Sequence, residues 1–149
     1  MSSHRYPVNW QEFYLNAQAL AWRLNENKTW QGIIAITRGG LVPSAIVARE
    51  LGVRKIDTIS IVSYDESDKQ IDPIVIKSCH IENQGEGWLV VDDLVDTGAT
   101  AKIVRDILPK AHIAAIYAKP LGKETVDSFM TEVSQDTWIV FPWEEEIES

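Results

Sequence analysis

Apolar positions fall into two kinds of stretch that alternate along the chain. Behind Asn9, the residues Trp10, Phe13, Tyr14, Ala17, Leu20, Ala21 and Leu24 recur at the spacing of one helix face. Asn9 and Glu12 have capping-box spacing, with Asn in place of Ser or Thr, so a first amphipathic helix is expected there. GIIAI (32–36) is a short continuous apolar run ending in TRGG, and Leu41 to Leu51 predicts a second helix stopped by Gly52. IDTISIVS (56–63) predicts a strand, and the polar stretch 64–86 holds one strand-like piece, PIVIK (73–77). WLVVDD (88–93) reads as the next strand and 99–108 as a helix ending before Pro109. HIAAIYAK (112–119) and DTWIVF (136–141) supply further strands.

Strand and helix patterns that alternate in this way predict an α/β fold with a mainly parallel sheet. Ligands of such sheets gather beyond the carboxyl ends of the strands, and the segments TRGG, DDLVDTGAT and AKP all fall at such ends. The 149 residues amount to one expected domain, 1–149, with no Pro/Gly/Ser-rich linker and no internal repeat to divide it. A formal charge of −8 disfavours sequence-independent nucleic-acid binding, which relies on clustered Lys and Arg. No apolar run approaches the roughly 18 residues of a membrane span, and the first thirty residues do not read as an export signal. Cys79 is alone, so no internal disulfide is expected, and it reads as a thiol in a polar connection. His4, His80 and His112 lack ligand spacing and read as structural or surface residues, and the acidic end EEEIES reads as a solvated tail.

VVDDLVDTGAT (90–100) concentrates the chemistry. Asp92 and Asp93 follow the apolar run WLVV and are expected to leave the sheet where a ligand reaches them; two adjacent carboxylates call for a polyol or a metal. The following loop offers the Thr97 and Thr100 hydroxyls, a permissive Gly98 and the free N–H groups of a starting helix, a combination suited to phosphate. Capping that helix would need one acid and not three. There is no GxxxxGK[ST] loop, and Asp93 and Asp96 are spaced DxxD, not DxD, so two other phosphate-handling motifs are excluded.

VVDDLVDTGAT resembles the phosphoribosyl pyrophosphate (PRPP) fingerprint of type I phosphoribosyltransferases. The flanking blocks GIIAITRGGLVPSAIVARELGVRKIDTISIVSYD, IYAKPLG and QDTWIVFPW are similar to those of the bacterial xanthine-guanine branch of that family. The resemblance implies the type I phosphoribosyltransferase fold: a mainly parallel sheet flanked by helices, a mobile loop over 64–86 and a small base-binding hood. It implies transfer of the 5-phosphoribosyl group from PRPP to N9 of guanine or xanthine, and less well of hypoxanthine, with release of pyrophosphate. Thr37, Arg38, Gly39 and Gly40 would form the pyrophosphate loop, with a cis peptide between Thr37 and Arg38. PRPP would be held by Asp92, Asp93, Leu94, Val95, Asp96, Thr97, Gly98, Ala99 and Thr100, with Asp93 also near Mg2+. Arg38 and Asp96 would be catalytic, and Asp96, Lys119, Trp138 and Ile139 would meet the base.

Relatives place a basic residue of the mobile loop against pyrophosphate, and Lys69, with Gln70 beside it, is the nearest match, since no arginine lies between Arg54 and Arg105. Lys69 would act there as a point charge, not a bidentate fork. The resemblance further implies a homotetramer, and a cytoplasmic location is expected, peripheral on the inner membrane face at most. Two alternatives stay open: a phosphoribosyltransferase for hypoxanthine or another base, and a PRPP-sensing regulator. The acidic charge and the intact base-site blocks argue against the regulator.

Overall fold

A computed structural model describes residues 4–26, 28–62 and 72–144. Its core is a six-stranded sheet in the order β4-β3-β2-β5-β6-β7, made of β2 (Gly32–Thr37), β3 (Ile56–Val62), β4 (Ile74–Lys77), β5 (Trp88–Val95), β6 (His112–Ala118) and β7 (Ser128–Glu132). All neighbours run parallel except β3 and β4. A separate pair joins β1 (His4–Pro7) to β8 (Thr137–Val140) in parallel. The fold is therefore α/β, with a mainly parallel sheet flanked by α1 (Trp10–Leu24), α2 (Leu41–Leu51) and α3 (Ala99–Ile107).

The first helix forms for a readable local reason. Asn9 Oδ1 accepts from Glu12 N at 2.7 Å and caps α1, whose Phe13, Ala17, Leu20, Ala21 and Leu24 turn to the core. Only half of the anticipated capping box forms, because the Glu12 carboxylate accepts from the Tyr6 hydroxyl instead. On one face of the sheet, α1 and α2 cover a core that includes Phe13, Leu20, Ile33, Leu89, Ile116 and Phe141. On the other face, Val104 and Leu108 at α3 and the turn behind it pack on Ile34, Ile59, Val90 and Ile113.

β5 and β6 change parity together near their ends. Ala114 and Ile116 join the first core, and so does Tyr117, while Ala118 faces the opposite side; beside them Leu94 packs on the first core and Val95 on the other side. The pairing Asp92 with Ala115, Leu94 with Tyr117 and Val95 with Ala118 carries both strands through this shared kink. The buried Tyr117 hydroxyl accepts from Asn16 Nδ2 at 3.0 Å, and burial pushes its pKa up to about 12.

Several expectations need correction here. Strands β1 and β7 were not anticipated, and DTWIVF is a strand outside the main sheet. Asp92 and Asp93 do not leave the sheet after WLVV, because β5 stays paired with β6 as far as Val95. The described half of the expected mobile loop, 72–86, is anchored: β4 pairs with β3, and Val75 and Ile81 pack on the second core. Lys69 and Gln70, like residues 145–149 of the acidic end, lie outside the described residues. Cys79 is not in a polar connection but buried beside that second core, and burial raises its thiol pKa. The histidine readings hold: His4 and His80 are exposed, and His112 is half-buried with its ring against Trp30.

Candidate active site

The order of strands reverses direction between β2 and β5. The chain proceeds from β2 to β3 on one side and from β5 to β6 on the other, which opens a crevice at the carboxyl ends of these central strands. TRGG leaves β2 there, DTGAT leaves β5, and Lys119 follows β6.

The Thr37–Arg38 peptide is cis, and Thr37 Oγ1 lies 2.6 Å from Ser60 Oγ on β3. Arg38 is exposed. The two glycines after it are required by space. A Cβ on Gly39 would lie 2.6 Å from Asp93 Oδ1, and one on Gly40 would lie 2.4 Å from the Val91 carbonyl and 2.6 Å from that of Ile36. The absent side chains thus let the TRGG loop close against the Asp93 carboxylate and between two strand ends.

Asp92 and Asp93 sit near the end of β5, and the Asp93 amide donates to Asp92 Oδ1 at 2.8 Å. Burial, reinforced by the charge of its neighbour, pushes the Asp92 carboxyl well above the usual range. Burial likewise raises Asp93, to about 6. Two half-buried carboxylates that resist ionising side by side are the hard oxygen donors a divalent cation takes, and a cation beside them would relieve that resistance. Among the described residues no group of three or more His, Cys, Asp or Glu side chains could hold a metal alone. Its remaining ligands would have to come from substrate and water.

A cavity of about 600 Å³ at the start of α3 is lined by Asp92 and by Leu94 through Lys102, together with Ile36, Asp72, Pro73, Ala115 and Val126. Gly98, at φ 92°, occupies the N-cap position of α3, which has no side-chain cap. A Cβ on Gly98 would lie 2.5 Å from Thr125 Cγ2, so the residue serves both conformation and space. The closest approach to a cap is a long one, Ala99 N donating to Thr97 Oγ1 at 3.4 Å. None of Asp92, Asp93 and Asp96 caps the helix, which leaves its first N–H groups directed at the cavity and suited to an anion.

Lys119, 6% exposed, is the buried charge of the site. Its backbone N–H donates to the Val95 carbonyl at 3.0 Å, which fixes it beside the end of β5, and its Nζ lies 3.4 Å from Asp96 Oδ2. Gln135 Nε2 donates to the other Asp96 oxygen at 2.7 Å. Trp138 is 61% exposed on β8, unlike the buried Trp30 and unlike Trp143, which stacks on Phe141. Ile139 points the opposite way into the core, so only its backbone remains to face a ligand.

A phosphoribosyl transferase domain family model matches residues 8–149. The chain belongs to the phosphoribosyltransferase family. It is 55% identical over 141 residues to a xanthine-guanine phosphoribosyltransferase of Desulfotalea psychrophila, covering 95% of this chain and 87% of that protein. It is 53% identical over 143 residues to one of the same name from Nitratidesulfovibrio vulgaris, covering 96% and 86%. Among solved structures, a purine phosphoribosyltransferase from Pyrococcus horikoshii is similar with a TM-score of 0.77 and 28% identity, over 97% of this chain and 99% of that one.

In this phosphoribosyltransferase the structure gathers Asp92 and Asp96 to Thr100 around one cavity, and it sets Asp93 against Gly39. Arg38, Lys119 and Trp138 stand outside that cavity's lining. Sequence reasoning missed Gln135 and Ser60. Gln135 lay inside the quoted block QDTWIVFPW, but a polar residue in a turn gives no sign of what it will touch.

Proposed function

We propose that this phosphoribosyltransferase transfers the 5-phosphoribosyl group from PRPP to N9 of guanine or xanthine, and less well of hypoxanthine, giving GMP, XMP or IMP and pyrophosphate. The observation that carries the choice of base is the buried Lys119 ammonium, held beside Asp96, which itself lines the anion-suited cavity. An ammonium donates to the 6-oxo group of these purines, and the exposed Trp138 ring offers a face for stacking. The relatives' names support guanine and xanthine.

In this reading the free N–H groups of α3, with Thr97 and Thr100, hold the 5′-phosphate. Asp92 and Asp93 bind the ribose hydroxyls, and Asp93 also holds magnesium. Arg38 and the amides after it face pyrophosphate. When bound, magnesium would offset negative charge on the leaving oxygens. Loss of pyrophosphate leaves positive charge on the ribose ring and an added negative charge on the departing oxygen, and Arg38 offsets the latter. Asp96 accepts or balances the proton of the purine imidazole ring as N9 attacks. Ile139 meets the base through its backbone. Lys69 and closure of its loop, a homotetramer and a cytoplasmic location belong to the same proposal.

The test is product formation from PRPP and magnesium with guanine, xanthine, hypoxanthine and adenine in separate reactions. Nucleotide from the three oxopurines and little from adenine is expected. Equal use of adenine, or no product from guanine and xanthine, would overturn the reading.

A further inference from the structure

We propose that Gln135 is the positioning residue for Asp96, and that it ties the setting of that carboxylate to strand β8, which carries Trp138. The inference rests on the functional reading above and adds to it a residue that neither the motif nor the cavity lining contains.

The geometry is a two-sided clamp. Gln135 Nε2 donates to Asp96 Oδ1 at 2.7 Å, while its Oε1 accepts from the Leu121 backbone N–H at 2.9 Å. One side chain therefore joins the loop after β5, the loop after β6 and the connection between β7 and β8. Both amide groups are used in the sense that their chemistry dictates: the NH2 faces an acceptor-only carboxylate and the carbonyl faces a donor.

Gln135 is itself presented on a stiff turn. Thr137 N donates to the Ser134 carbonyl at 3.1 Å, Ser134 Oγ lies 2.6 Å from both Asp136 Oδ1 and Thr137 Oγ1, and His4 N donates to the Asp136 carbonyl at 3.2 Å. The exposed Trp138 follows three residues after Gln135, on the strand that this turn begins.

Asp96 needs such a partner because its carboxylate is more than half exposed, at 54%, and its other contact is the longer one to Lys119. In the functional reading, Lys119 must also serve the 6-oxo group of the purine. Gln135 has no such second task and keeps Asp96 Oδ1 in place when the base arrives. A carboxylate that handles a proton in the transition state has to be held in its productive geometry, and an unheld one loses rate without losing substrate affinity.

Two variants of the full chain separate positioning from mere shape. Gln135→Met keeps the bulk and loses both hydrogen bonds. It should lower kcat for guanine about tenfold, against about 10²–10⁴-fold for loss of a general base, with KM for PRPP unchanged. Gln135→Glu still accepts from Leu121 N–H, but it donates to Asp96 only when protonated. Its turnover relative to the native protein should therefore fall as pH rises. The charged groups around this contact include Lys119, Asp136 and His4, whose Nε2 lies 3.8 Å from Asp136 Oδ2; Asp136 is lowered by its Ser134 hydrogen bond and by the charges of His4 and Lys119. All three are common to the two proteins, so the ratio removes their own titrations.

A third measurement needs no substrate: the side-chain amide resonances of Gln135 should shift when Asp96→Ala is made. Unchanged kcat in Gln135→Met, a flat pH ratio for Gln135→Glu, or unmoved amide resonances would each overturn the proposal. A native protein that converts no purine sinks the functional reading and this catalytic role with it. The amide resonances still report whether the contact itself exists.

Discussion

Lys119 and Asp96 meet across the ends of adjacent strands, Nζ 3.4 Å from Oδ2, with the lysine buried and the aspartate mostly open to solvent. The asymmetry assigns them different work. A buried ammonium with a single weak partner among the described residues is a donor in wait of an acceptor, and the oxygen at position 6 of guanine or xanthine supplies one. Adenine presents an amino group there, which leaves both donors unpaired at a cost of roughly 1–3 kcal/mol or more. Lys119→Ala should therefore raise KM for guanine and narrow the guanine-over-adenine ratio, with PRPP affinity unmoved. Steady-state kinetics on both bases check this; an unchanged ratio removes Lys119 from base selection.

Asp96→Asn should leave PRPP binding nearly intact and lower turnover by about 10²–10⁴-fold, since an amide keeps the shape of the loop but takes up no proton. Single-turnover rates with saturating guanine isolate the chemical step. A native rate there would mean that Asp96 neither accepts nor balances the proton.

Gly39→Ala and Gly40→Ala should fail differently, although the residues are adjacent. The Gly39 methyl would meet a carboxylate, 2.6 Å from Asp93 Oδ1, and the acid can be displaced. Folding should survive and binding of PRPP with magnesium should weaken. The Gly40 methyl would meet two strand carbonyls that cannot yield without parting β2 from β5. That variant should lose about 1–3 kcal/mol of stability or more, read from urea denaturation. Equal stability losses in both would contradict the division.

Much of this site was legible because its chemistry is local in sequence. The segment 92–100 carries acids, hydroxyls and a glycine close together, and all of it except Asp93 lines one cavity. Pairing was less legible. HRYP (4–7) is four exposed residues without periodicity, and it becomes a strand only because β8 lies beside it. SFMTE (128–132) mixes polar and apolar residues and is a strand by virtue of β6. The acid pair looked like a strand end because charge seldom continues inside a sheet. Here β5 runs on to Val95 with Asp92 paired to Ala115, and Gly39 of the TRGG loop has no side chain to obstruct Asp93. Gln135 illustrates the same limit: its partners lie 39 and 14 residues away.

The far end of α3 gives a prediction in pH. Arg105 donates from Nη1 to the Ala111 carbonyl and from Nη2 to Asp127 Oδ2, each at 2.7 Å, and the same Asp127 oxygen accepts from Ile113 N at 2.8 Å. These bonds moor the helix whose other end faces the cavity. Burial alone would raise the Asp127 carboxyl, but the Arg105 and Ile113 donors and the guanidinium charge outweigh it and hold the pKa below the usual range. A depressed carboxylate favours the folded state fully above its unfolded value, near 3.9, and the benefit disappears as pH falls through the folded value. Half-buried His112 acts in the same direction, because burial lowers its pKa and the unfolded chain takes up its proton first as pH drops below about 6.5. Asp127→Asn should therefore be less stable than the native protein at neutral pH, by about 1 kcal/mol or less given the partial exposure of the pair. The two denaturation curves should converge in acid, as pH falls through the depressed Asp127 value below the ordinary carboxylate range, while the histidine contribution persists in both. A difference that stays constant with pH would mean that the substitution removes packing or hydrogen bonds and not the charge that moors α3.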